Sequence, residues 1–235
     1  MTQTLRQQIA ELWCRIVQTV PEQVFGSMSQ LLLNRHPGDL LAQPGFVGPQ
    51  FEPGNLVFLA MNPGAGFKEG RSSLDQQRYL ILERLRDASP TARLSVFDEL
   101  VADYLTTFPH RKFYTTYVAP ILSGSAITIE EVAILNLLNW RTERDLDKDL
   151  RQKLYELSWN AQTRFQIDLL HPGKVVVLGT KAASSFRRLY LNEFCYEVPR
   201  VIGNNIDDRG KAAVEECVRV LRQWSRTTPS KDITE

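Results

Sequence analysis

The chain has 235 residues, 43% hydrophobic and 23% charged, the balance of an ordinary globular protein, so collagen-like, coiled-coil and wholly disordered chains are excluded. Lys and Arg number 28 against 27 Asp and Glu, a formal charge of +1, so bulk electrostatics announce neither an extended nucleic-acid footprint nor an anionic membrane surface. The length fits one large α/β domain, residues 1–235, with residues 1–54 as an N-terminal helix and loop extension and 227–235 as a polar tail.

Cys14, Cys195 and Cys217 are widely spaced and odd in number, which disfavours a disulfide framework and any Cys-x-x-Cys motif. Three thiols also fall short of a four-thiolate iron-sulfur cluster. Residues 1–10 carry Thr, Gln and Arg where a secretory signal needs an apolar run, and no segment approaches the roughly 18 apolar residues of a membrane span. A soluble, cytoplasmic protein is the expectation.

From Leu5, the apolar residues Ile9, Leu12, Trp13, Ile16, Val17 and Val20 recur at three and four, predicting an amphipathic helix that stops at Pro21. Residues 35–53 hold Pro37, Gly38, Pro44, Gly45, Gly48 and Pro49, which predicts an extended loop. Asn55-Leu-Val-Phe-Leu-Ala-Met61 is a continuous apolar run closed by Asn62-Pro63-Gly64, as expected of a strand buried on both faces. Residues 74–86 and 94–105 predict helices, and 113–118 a short strand limited by Pro120. The run 131–140 fits helix or strand by length and is read as a strand. Residues 150–170 predict a long helix, 174–178 a Val-rich strand, 181–191 a helix, 198–202 a last short strand and 210–224 a closing helix.

Strands separated by helices define an α/β chain: a three-layer sandwich around a central, mostly parallel four-stranded sheet. Ligands of such sheets bind beyond the carboxyl ends of the strands, which directs attention to residues 62–67, 136–141, 179–183 and 203–209. Pro63 and Gly64 make a tight turn of little bulk, and Asn62 offers a neutral carboxamide able to hold a water, although Asn-Pro-Gly is also ordinary turn chemistry. Gly179-Thr-Lys-Ala-Ala183 presents a helix start to an anion but lacks the full nucleotide-triphosphate loop. His36, His110 and His171 show no zinc spacing and no acid partner, and no Gly-x-Ser-x-Gly elbow occurs. The segment Arg141-Thr-Glu-Arg-Asp145 reads as a solvated loop.

In order and spacing, these pieces resemble the uracil-DNA glycosylase superfamily. Val57-Phe-Leu-Ala-Met-Asn-Pro-Gly64 is similar to that family's first motif, in the Asn-Pro-Gly version of the mismatch-specific and single-strand-selective branches. Ala133-Ile-Leu-Asn-Leu-Leu138 resembles the strand whose Asn reads the uracil edge, and residues 172–179 with Ala182 resemble the strand and helix before the second catalytic loop. The resemblance runs from about residue 56 to 221. It implies a glycosylase-like fold and a hydrolase of DNA repair that removes uracil or a related deaminated base from single-stranded or mismatched DNA, with no cofactor, no metal and no membrane partner. Asn62 would place the attacking water. Pro63, Gly64, Phe67, Asn136, Gly203, Asn204 and Asn205 would bind the extruded base, and Lys68, Arg71, Lys181 and Arg209 would form a local basic rim.

Two departures from the family pattern stand out. The second motif's His has no counterpart in Val201-Ile-Gly-Asn-Asn-Ile-Asp-Asp-Arg209, and no His follows His171. No aromatic stands at the expected place after the first motif, leaving Phe67 or Tyr79 to supply the stacking ring. Three functions stay open: an active glycosylase, a catalytically inactive glycosylase-like module that binds a nucleobase, nucleic acid or protein, and an unrelated α/β enzyme holding a small nucleotide.

Overall fold

The computed structural model describes residues 1–34, 39–63, 73–142, 146–190, 195–199 and 206–227. Helix α1 (Gln3–Gln18) starts where the Thr2 hydroxyl accepts from the Leu5 amide at 3.3 Å, replacing one partner that the first turn lacks. Its stripe of Leu5, Ile9, Leu12, Trp13, Ile16 and Val17 is buried, as the spacing predicts, whereas Val20 lies beyond the helix and is exposed. The stripe packs against α3 (Ser73–Asp87) and α4 (Arg93–Thr107), so this extension is part of the core. Pro21 opens α2 (Pro21–Phe25), where its fixed φ suits a first helical turn.

The sheet is built from β1 (Phe46–Val47), β2 (Leu56–Ala60), β3 (Ala133–Asn136), β4 (Lys174–Leu178) and β5 (Cys195–Val198) in the order β1-β3-β2-β4-β5. All neighbours run parallel except β1, which is antiparallel to β3 through Phe46↔Ile134 and Val47↔Ala133. The mostly parallel α/β expectation holds, but among the described residues the sheet has five strands rather than four. The fifth comes from the stretch expected to be loop. Gly45, at φ 92°, lets the backbone come so close to β3 that a Cβ there would lie 2.4 Å from the Ile134 carbonyl oxygen. Phe46 is then held by Tyr104 and Phe108, with ring centroids at 5.8 and 5.1 Å.

Residues 113–118 are a correction. Their aromatic and β-branched residues predict a strand, yet Tyr114–Val118 is a wide helical turn that continues into α5 (Ala119–Ser125). Pro120 lies in the first turn of α5, directly after the wide turn. Phe108 draws Phe113 and Tyr114 onto its ring at 6.2 and 5.1 Å, a tertiary contact that overrides propensity.

The long helix expected over 150–170 is α6 (Lys148–Ser158), a wide turn Trp159–Thr163 and α7 (Arg164–Leu170). Beyond β4 comes α8 (Thr180–Leu189), and the chain closes with α9 (Asp208–Thr227), which packs on α5 and β5. The last strand lies at 195–198 rather than 198–202, of which 200–202 fall outside the described residues. Thr227, where the polar tail was expected to begin, is the final residue of α9, and 228–235 are outside the described residues. One apolar cluster extends from Leu5 to Leu221, with Trp13, Phe58 and Trp140 fully buried. Among the described residues, no helix is long and apolar enough to cross a membrane.

Candidate functional site

Strand β2 is buried along its whole length and lies between β3 and β4, so its carboxyl end opens at the middle of the sheet edge. Ala60 faces Asn136 in register, and two amides extend that ladder, Leu137 donating to the Ala60 carbonyl at 2.8 Å and Leu138 to that of Met61 at 2.9 Å. The chain therefore leaves β2 and β3 side by side, and it carries Asn62 and Asn136 to neighbouring strand ends. Both are half-buried and Pro63 is buried.

The Asn62 carboxamide is oriented, its Nδ2 donating to Thr142 Oγ1 at 3.3 Å. That bond uses one of the two Nδ2 hydrogens and fixes the side chain with Oδ1 as an acceptor that makes no hydrogen bond to a described residue. Thr142 is itself fixed, because its backbone bridges Leu32 and the Leu33 amide donates to the Arg141 carbonyl at 2.9 Å. Asn136 is pinned from the helical side, where Thr163 Oγ1 donates to its carbonyl at 3.3 Å and to that of Leu137 at 3.1 Å. The Asn136 side chain makes no hydrogen bond to another described residue, so both ends of its carboxamide are open to a ligand.

Arg141 is not on a solvated loop. It is 4% exposed, its guanidinium is 3.5 Å from Asp75 in the first turn of α3, and it lies 5.5 Å above the Tyr79 ring. Asp75 also receives Arg111 Nη2 at 2.8 Å, while Arg78 meets Asp103 at 2.8 Å and covers the Tyr104 ring at 3.8 Å. Burial raises the Tyr104 hydroxyl above the usual phenol range against the opposing pull of Arg78, so the ring stays neutral beside these charges. Tyr79 is 3% exposed, with its hydroxyl accepting from Gln43 Nε2 at 2.7 Å and its face under Arg141. It is committed to the core, so the expected stacking role does not fall to Tyr79.

At the neighbouring strand end, Gly179 (φ 111°) donates to the Val198 carbonyl at 2.8 Å and turns the chain directly into α8. Lys181 and Arg209 are exposed in the first turns of α8 and α9. Gly64, Phe67, Lys68, Arg71, Gly203, Asn204 and Asn205 lie outside the described residues. At neighbouring strand ends, Asn62 thus pairs with Thr142, and Asn136 is held through its backbone carbonyl by Thr163, two threonines that the sequence reading left unassigned. The signal for Thr142 was its position six residues past Asn136, masked by a charged neighbourhood.

Burial pushes the Cys217 thiol up to about 12 and raises Cys14 and Cys195, so these sulfurs are held protonated rather than as nucleophiles. Among the described residues no cluster of His, Cys, Asp and Glu fits a metal ion. His110 is exposed, and His171 serves as a left-handed cap at φ 44°. The chain matches no family model and no curated protein.

Proposed function

We propose that this protein is a monofunctional DNA glycosylase that removes uracil or a related deaminated base from single-stranded or mismatched DNA. The observation that carries the reading is the pair of carboxamides on adjacent central strand ends, with Asn62 turned by Thr142 so that its Oδ1 is the free acceptor. In this reading Asn62 Oδ1 accepts a hydrogen bond from one water and aims its oxygen at the anomeric carbon. A carboxamide is a poor base, so the bond from sugar to nitrogen breaks well ahead of water addition. Its electron pair leaves with the base, and the water's proton passes to solvent. Asn136 reads the extruded base with both ends of its side chain, donating from Nδ2 to a carbonyl oxygen and accepting at Oδ1 from the adjacent N–H. The leaving base anion needs a further donor, for which Asn204 and Asn205 stand in the segment where the superfamily has His. Loss of one preorganised donor costs roughly a hundredfold or more in rate, so a slow enzyme is expected.

A second reading keeps the site and drops the chemistry: a module that binds a base or nucleic acid without turnover. It is favoured by the absence of any His after His171. The two separate on a labelled oligonucleotide with one uracil, incubated with chelator and then treated with alkali to break abasic sites. Strand cleavage that Asn62→Ala abolishes supports the glycosylase. Binding without cleavage over long incubation, beside an active control enzyme, supports the module.

A further inference from the structure

Helices α6 and α8 enclose a cleft of about 370 Å³ on which three cations converge, Lys148 and Arg151 from α6 and Lys181 from α8. No carboxylate lines it. Among the described residues, neither lysine has an ion-pair partner, and Arg151 is held by its own helix start through a hydrogen bond to the Leu146 carbonyl. The acids at the start of α6 and along it are not in the lining: Asp147 accepts from the amides of Asp149 and Leu150 at 2.9 Å each, Glu156 takes the Gln152 amide at 3.0 Å, and Asp149 follows Lys148 in the first turn. Exposed arginines on other helices behave differently, since Arg84 on α3 and Arg219 on α9 each hold a carboxylate. Three like charges in one concavity repel one another unless an anion joins them.

The remaining lining is that of an anion site. Thr180 and Ser184 add exposed hydroxyls, and Ser185 donates to Gln152 Oε1 at 2.6 Å, tying the two helices together at the floor of the cleft. No side chain caps the first turn of α8, whose Thr180 and Lys181 line the same cleft. The volume falls at the lower end of the range of small-ligand pockets, enough for a phosphate with part of its sugar. Helix α8 begins one residue after β4, and β4 pairs with β2, so the start of α8 follows the strand end next to the one that carries Asn62.

We infer that this cleft binds a phosphodiester of the nucleic-acid strand whose base enters at Asn62 and Asn136, with Lys148 and Arg151 as strand contacts; the identity of the strand rests on the glycosylase reading. Three cations imply a short footprint, consistent with a net charge of +1, and a modest salt dependence with a slope of about −2 for single-stranded DNA.

The test is fluorescence anisotropy with a uracil-free single-stranded oligothymidylate between 0.05 and 0.2 M NaCl, on wild type, Lys148→Gln/Arg151→Gln and the charge-keeping Lys148→Arg/Arg151→Lys. Removing two contacts should weaken binding ~25-fold at 0.1 M salt and flatten the slope by about 1.4, with the charge-keeping variant near wild type. A parallel titration with thymidine monophosphate and inorganic phosphate separates a free phosphate ligand from a strand. The proposal is overturned if the neutral variant, folded by circular dichroism, binds the strand as wild type does, if wild type binds only the small phosphates, or if it binds neither. Because this oligonucleotide carries no uracil, a charge-dependent strand affinity without uracil release elsewhere would sink the glycosylase reading alone and leave the cleft standing.

Discussion

Gly45 and Gly54 share a backbone dihedral, φ 92° and 93°, and differ in what surrounds them. A Cβ on Gly54 meets nothing within 4 Å, whereas one on Gly45 would lie 2.4 Å from the Ile134 carbonyl oxygen and 3.1 Å from the Leu135 Cα, both main chain of β3. Ala at either position carries the strain of a positive φ, about 1–2 kcal/mol. Ala at Gly45 also has to push β1 away from β3, and overpacking against a backbone that cannot rotate away adds ~1–3 kcal/mol. The same move disturbs the Gly45 carbonyl that accepts Trp13 Nε1 at 3.0 Å, the bond tying α1 to this segment. Gly54→Ala should therefore lose about 1–2 kcal/mol and Gly45→Ala about 2–5 kcal/mol. At about 2–4 °C per kcal/mol for a chain of this size, their Tm values should differ by roughly 2–12 °C. Thermal unfolding followed at 222 nm, with urea titration alongside, measures both. Equal losses, or a Gly45→Ala protein the more stable of the two, would show that β1 is not packed on β3 as described.

Thr142→Val keeps the shape of the side chain and removes the acceptor of Asn62 Nδ2, so kcat for uracil release should fall about 5- to 10-fold with KM little changed, and Thr142→Ser should recover most of it; a Val variant at full rate would remove Thr142 from the site. Arg78→Met leaves Asp103, whose side chain is 7% exposed, charged and buried without its partner, which should cost ~3–5 kcal/mol by urea unfolding, and a loss below about 1 kcal/mol would contradict the paired state. Cys217 has its folded pKa raised by burial from 9.0 to about 12, so its contribution is complete below pH 9 and is lost as pH climbs towards 12. Between pH 8 and 10.5, wild type should lose about 2 kcal/mol more than Cys217→Ala, and parallel pH profiles would refute the burial.

The parts legible in the sequence are those whose signal is local. Strands β2 and β4 are uninterrupted apolar runs that only a doubly covered sheet accepts, and the Leu5 to Val17 stripe carries its own period. β1 was illegible because two residues between Gly45 and Gly48 have no period, and only β3 supplies their partners. Residues 114–118 have strand propensity but are captured by the Phe108 ring. At the site, Asn62 and Asn136 could be placed from strand ends alone. Thr142 and Arg141 could not, since the hydrogen bond and the ion pair that hold them join residues 80 and 66 positions apart, Asn62 with Thr142 and Asp75 with Arg141, inside a segment whose charges read as solvent-facing.

Single-turnover release of uracil from a single-stranded oligonucleotide by wild type, Asn62→Ala and Asn136→Ala, with binding of each measured separately, bears on the whole functional reading at once. Wild type should release uracil without metal. Asn62→Ala should bind the strand normally and lose at least a hundredfold in rate, in keeping with the removal of a preorganised catalytic group. Asn136→Ala should lose both rate and the preference for uracil over thymine. A wild-type protein that leaves uracil in place, or an Asn62→Ala protein that releases it at the wild-type rate, would contradict the assignment of these two carboxamides to a glycosylase site.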